Sequence, residues 1–182
     1  MKKQLFTAVL LGMSAIILAG SQYEDYAGAM EVARENAEDQ KWDAAVKDFA
    51  EAAKLAKTPV EQYTARLEAS RALEKKGDFP AAVSVLQEIL VLKEISPDQK
   101  SFALLFIANN LNQKQKKSVE AAAEYEKVIA MKLKNPAIQS AHHQLAMLYF
   151  YEKNYDRAIA VANRAIQDDT LPNTFKNTER II

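Results

Sequence analysis

His142 and His143 are the only imidazoles in the sequence, and hence its only histidine candidates for a metal or a proton-transfer step. Successive helical residues point about 100° apart, so one face of a helix cannot deliver both rings to one ion. The pair reads instead as one ring packed between helices, His142, and one presented on a groove, His143. Cysteine is absent. That excludes disulfides, thiolate zinc or iron–sulfur sites and a thiol nucleophile. Carboxylates are plentiful, but Glu31 with Glu35 and Glu120 with Glu124 are like-charged neighbours at helical spacing, the pattern of a solvated face. No His-Glu-x-x-His pair, phosphate-cradling glycine loop, dinucleotide fingerprint or nucleophile elbow occurs. The reading is therefore of a protein without catalytic, cofactor or metal residues, one that works by contact.

Contact residues need elements to hold them, and the prolines mark those elements. Pro59, Pro97, Pro136 and Pro172 are spaced 38, 39 and 36 residues apart. The first three follow a helix-capping residue: Thr58, Ser96 and Asn135. Proline suits the first helical position, where its missing N–H would have no partner anyway. Glu61 and Gln99 complete capping boxes with Thr58 and Ser96. Helices are thus expected to start near residues 59, 97 and 136.

A second helix follows in each period. Trp42, Ala45, Phe49 and Ala52 mark the first; Phe79, Ala82, Leu86 and Ile89 the second; Tyr155, Ala158, Ala162 and Ala165 the fourth. In the third, Ser118 replaces the aromatic residue while Ala121, Tyr125 and Val128 keep the register. The small residues fall where two helices must approach closely. The first helices carry matching faces: Ala29, Val32, Ala33 and Asn36; Ala69, Ser70 and Leu73; Leu105, Ala108 and Asn109; His142, Leu145, Ala146 and Tyr149.

This layout resembles the tetratricopeptide repeat family, a helix–turn–helix unit of about 34 residues. The copy running from Leu145-Ala146 through Tyr149, Tyr155, Ala158 and Ala165 matches best. The chain departs from the family in two ways. Its small residue recurs every 37, 39 and 37 residues, and its one tryptophan opens a second helix rather than a first. The resemblance implies an all-α fold, a right-handed solenoid of about four repeats at 24–58, 59–95, 97–135 and 136–169 within a repeat domain of 22–169. Residues 170–182 would be a cap or a tail.

The resemblance also implies a concave face lined by the first helices and suited to a protein or peptide partner. Carried across in register, that lining is Met30, Arg34 and Glu38; Leu67, Arg71 and Glu74; Phe106, Asn110 and Lys114; and His143, Met147, Phe150 and Tyr151. A lysine–asparagine–arginine clamp for chaperone carboxylates, known in part of the family, is absent as a set. Met30, Arg34, Ala103 and Ile107 stand in the corresponding places.

Residues 1–21 read as an address. Lys2 and Lys3 precede an uncharged, largely apolar run from Leu5 to Gly20, closed by Ala19, Gly20 and Ser21, the layout of a secretory signal peptide. An uncleaved membrane anchor is the alternative. Leu18-Ala19-Gly20 also resembles a bacterial lipobox, with Ser21 where a lipidated cysteine would stand. The expected location is the periplasm or cell envelope. Two roles remain open: an exported scaffold, or a membrane-tethered subunit that packs laterally, including against its own copies as a homo-oligomer. The 24 bases balance 24 acids, so a nucleic-acid partner is not expected. Charge is uneven, with nine acids and four bases in residues 24–54 against three acids and six bases in 112–135.

Overall fold

The computed structural model describes residues 22–173 and 175. The expected leader, with Ala19, Gly20 and Ser21, and the end of the C-terminal segment lie outside the described residues. Within them the chain is all-α: α1 Tyr26–Glu38, α2 Trp42–Leu55, α3 Pro59–Lys76, α4 Phe79–Leu90, α5 Pro97–Asn109, α6 Ser118–Ala130, α7 Pro136–Tyr151 and α8 Tyr155–Gln167. A π-helical turn, Asn110–Lys114, continues α5. Each helix packs on the next in sequence, and α5 also packs on α7, as in an α-solenoid built from helix pairs.

The caps form as the sequence predicts. Thr58 and Glu61 exchange side-chain and backbone hydrogen bonds at the start of α3, and Ser96 and Gln99 do so at α5. Asn135 does more than cap α7. Its Oδ1 accepts from Ala137 N at 3.0 Å and Ile138 N at 3.2 Å, while its Nδ2 donates to Asp98 Oδ1 at 2.6 Å and Ser101 Oγ at 2.9 Å. One buried carboxamide thereby ties the first helix of the fourth repeat to that of the third, with both its polar atoms satisfied.

The close-approach alanines Ala45, Ala82, Ala121 and Ala158 are all buried. Around them lie two cores. One runs through the first two repeats and is alanine throughout apart from Met30 and Phe49. The other reaches from Leu86 to Leu171 and holds the bulkier side chains Tyr125, Ile138 and Leu145. Polar residues also stitch neighbouring helices. Asn36 Nδ2 donates to the buried Asp48 Oδ2 at 2.7 Å, joining α1 to α2. Tyr125 Oη donates to Asn109 Oδ1 at 2.7 Å, joining α6 to α5, and burial pushes the Tyr125 phenol up to about 12. Past α8, Leu171 is buried and Phe175 packs against the larger core.

Candidate functional site

Two clefts open between successive first helices. The first, about 350 Å³, lies between α1 and α3. Trp42, Phe49, Ala37 and Ala72 give it an apolar lining, and Arg34, Glu38, Glu68, Arg71 and Lys75 supply its charge. Arg71 is held in two ways. Its Nη1 meets Glu68 Oε1 at 2.7 Å, and its guanidinium stands 5.8 Å from the centre of the Phe106 ring. The ion pair is half-exposed and contributes little to stability; its effect is to fix where the planar cation points. Arg34, Glu38, Arg71 and Phe106, spread over three repeats in the sequence, are thus linked through one continuous surface.

The second cleft, about 450 Å³, lies between the π-turn and α7. Asn112, Gln113 and Gln144 line it with carboxamides, Met147, Leu148 and Tyr151 with apolar surface, and Lys116 and Ser118 from the turn into α6. Carboxamides both donate and accept, so this lining can match the alternating N–H and C=O groups of an extended peptide. Methionine and tyrosine add adaptable apolar contact.

Two residues expected on the groove are inside the protein. Met30 is 1% exposed and belongs to the alanine core with Ala65, Ala69 and Ala72. It is next to Ala29 but fills the gap toward α3, because a first helix is flanked both by its own partner and by the next repeat. Asn110 is 2% exposed. It still has α-helical backbone geometry and follows the buried Ala103 and Ile107 at spacings of four and three, so it continues the face that α5 turns to the core; the π-turn begins here, with Gln115 N bonding back to Asn110 O at 3.1 Å. Its Nδ2 donates to Glu74 Oε1 at 2.9 Å, and its Oδ1 accepts from Gln115 Nε2 at 3.0 Å. Glu74, also assigned to the groove, is half-buried and occupied by that bond.

The other assigned residues are distributed unevenly. Leu67 and Phe106 are half-buried against the larger core. His143 is half-buried, and Met147 and Tyr151 enter the second cleft. Lys114 turns toward the edge of the array, its Nζ 5.9 Å from the Phe79 ring centre. Phe150 does likewise, packing edge-on with Tyr151 and Tyr155 at 5.9 and 5.7 Å. Trp42, Glu68, Lys75, Asn112, Gln113 and Gln144 were not assigned from sequence. Trp42 read as a packing residue of a second helix, and the two π-turn residues depend on a backbone irregularity that no spacing reveals.

His142 is fully buried, and neither ring nitrogen has a hydrogen-bond partner among the described residues. Nε2 lies 3.5 Å from Asp168 Oδ2, too long for a strong hydrogen bond. Burial, and then the Arg164 charge, hold the ring below the usual histidine range against the pull of Asp168 and Glu126. Among the described residues no cluster of three metal-ligating side chains occurs.

A family model for the tetratricopeptide repeat matches residues 24–100. In fold, the chain is similar to crystallised TPR-like repeats of a Podosopora anserina protein described as a kinesin light chain. Identity is 19% over 87% of this chain and 84% of that one, with a TM-score of 0.60. A single-substitution form of those repeats gives 19% over 84% and 80%, with a TM-score of 0.59. No curated protein matches in sequence. The fold is therefore an α-solenoid of TPR-like helix pairs, and such repeats generally mediate contacts between proteins.

Proposed function

We propose that this protein is a non-catalytic, exported interaction scaffold, which holds an extended segment of a protein partner along the face made by α1, α3, α5 and α7 within an assembly at the cell envelope. The observation that carries the reading is the pair of clefts between successive first helices, lined by arginine, tryptophan, methionine and tyrosine, the side chains that interfaces favour. A preformed helical surface loses little entropy when it binds. Export rests on residues 1–21 and is tested by the intact mass of the native protein. A mass starting at Gln22 supports it; a mass including Met1 overturns the soluble form. Among the described residues no helix is long and apolar enough to cross a membrane.

Groove binding is tested by affinity capture with two double variants, Arg34→Glu/Arg71→Glu and Gln144→Ala/Met147→Ala. Each should lower recovery of the captured partner roughly tenfold, the effect of losing ~1.4 kcal/mol at an interface, while helical circular dichroism stays unchanged. Undiminished capture by both folded variants sinks the groove.

A further inference from the structure

The intra-repeat turns, residues 39–41, 77–78, 115–117 and 152–154, connect the helix pairs along one edge of the array, because each pair is stacked on the next in the same orientation. That edge is not uniform. Its first turn holds Glu38, Asp39 and Asp43 against Lys41, with Asp39 paired to Lys41 and Asp43 to Lys76. Its third carries Lys114, Lys116 and Lys117, all exposed, with no acidic partner among the described residues. Of the seven exposed large hydrophobic residues described, four sit at the third and fourth turns: Val119 at 80%, Tyr151 at 74%, Tyr155 at 52% and Phe150 at 41% exposure. The two turns are neighbours in space, since Lys116, Ser118 and Tyr151 line one cleft. Residues 114–120 and 150–157 together hold five bases and three acids.

We infer that this edge, at the third and fourth turns, docks on the surface of an anionic lipid bilayer. The composition separates lipid from protein as the occupant. Protein interfaces are depleted in lysine and favour arginine, whereas lysine here outnumbers arginine beside aromatic rings. Lysine stems can lie along the acyl boundary while the ammonium stays among headgroups. Tyrosine, with an apolar ring and a polar tip, belongs at that depth, and clustered lysines are drawn to anionic headgroups. The array would then stand on its C-terminal half, with the cleft between α1 and α3 open to a partner and Lys116 and Tyr151, at the rim of the second cleft, meeting the bilayer.

Total binding to vesicles is a poor measure, because residues 1–21 are largely apolar and could bring the chain to any bilayer. A local readout avoids this. The full chain with Tyr151→Trp, an exposed site, is mixed with vesicles of brominated phosphatidylcholine, with or without phosphatidylglycerol. Trp42, at the acidic end, reports the background in the unmodified chain. The expected result is severalfold quenching of the new tryptophan with phosphatidylglycerol present. It should be lost in about 0.5 M salt, where the screening length falls to a few ångströms. It should also be lost in Lys114→Glu/Lys116→Glu/Lys117→Glu. Arg34→Glu/Arg71→Glu should leave it unchanged, which keeps the result separate from the groove. Equal quenching with and without phosphatidylglycerol overturns the inference. So does a blue shift that appears without vesicles and grows with protein concentration, since a second copy would then cover the edge.

Discussion

His142 shows how far one side chain can matter without doing chemistry. Its ring is buried with neither nitrogen hydrogen-bonded among the described residues, beside Asp168 from the end of α8 and near the Arg164–Glu126 ion pair that joins α8 to α6. Burial lowers its pKa first, and Arg164 lowers it further. An unfolded histidine titrates near pH 6.5, so above that value neither form is charged and no stability is lost. Below it the unfolded chain takes up a proton that the folded chain resists. Stability therefore falls as pH drops from about 6.5 toward the folded value. Asp168 adds to acid sensitivity at lower pH. Burial alone would raise its carboxyl, but bonds from Thr170 Oγ1 and N, with His142 nearby, hold it below the usual range. The urea midpoint of the wild type should thus be lower at pH 5.5 than at pH 7.5. His142→Leu should flatten that dependence and gain roughly 1 kcal/mol at pH 7.5 by removing unpaired buried nitrogens. An unchanged slope in the leucine variant would locate the acid sensitivity elsewhere.

At the scale of elements, the turns within repeats share one backbone device. Gln40, Gly77, Lys116 and Lys153 follow α1, α3, the π-turn and α7, all with positive φ, at 60°, 90°, 57° and 61°. A left-handed residue closes a helix by turning the chain back, and only glycine does so without a side-chain penalty. Gly77 faces open space where a Cβ would be, so Gly77→Ala isolates the backbone cost. It should lose about 1 kcal/mol, while Lys153→Gly should gain a few tenths, both read from urea unfolding. The same device explains what could be read from sequence. Caps, prolines and close-approach alanines are side-chain requirements, and they placed the starts of seven helices, including α6 despite Ser118. Turns closed by glutamine or lysine leave no such mark, whereas Gly77 is of the residue type that a left-handed turn favours. The π-turn is likewise silent, since one extra residue in a helix changes no composition. Asn110 is buried by the ordinary α5 register, on the face of Ala103 and Ile107, and the π-turn shifts the residues after it, including Asn112 and Gln113, which line the cleft. Arg34, Arg71, Met147 and Tyr151 were legible because their helices are regular up to the cleft.

Across the whole molecule, the division into two cores decides how the array responds to damage. The first core is almost entirely alanine and depends on Met30 and Phe49 for bulk. The second packs Leu86, Ile89, Tyr125, Val128, Ile138 and Leu145, all fully buried. Helices α3 and α4 border both, with Tyr63, Leu67 and Val83 against the larger core and Val85 against the smaller. In a solenoid each repeat is stabilised by its own helices and its immediate neighbours, so the sparser end should open at lower free energy than the other. Phe49→Ala removes the only aromatic side chain fully buried in the first core, 2% exposed, at a cost of about 3–5 kcal/mol. Native-state hydrogen exchange should then show amides of α1 and α2 exchanging orders of magnitude faster. Those of α6 to α8 should stay close to wild type. The cleft between α1 and α3 would be lost while the lysine–aromatic edge kept its shape, so one substitution would uncouple the two surfaces assigned to this protein. If α7 and α8 amides accelerate as much as those of α1, the repeats form a single cooperative unit and the two ends cannot act independently.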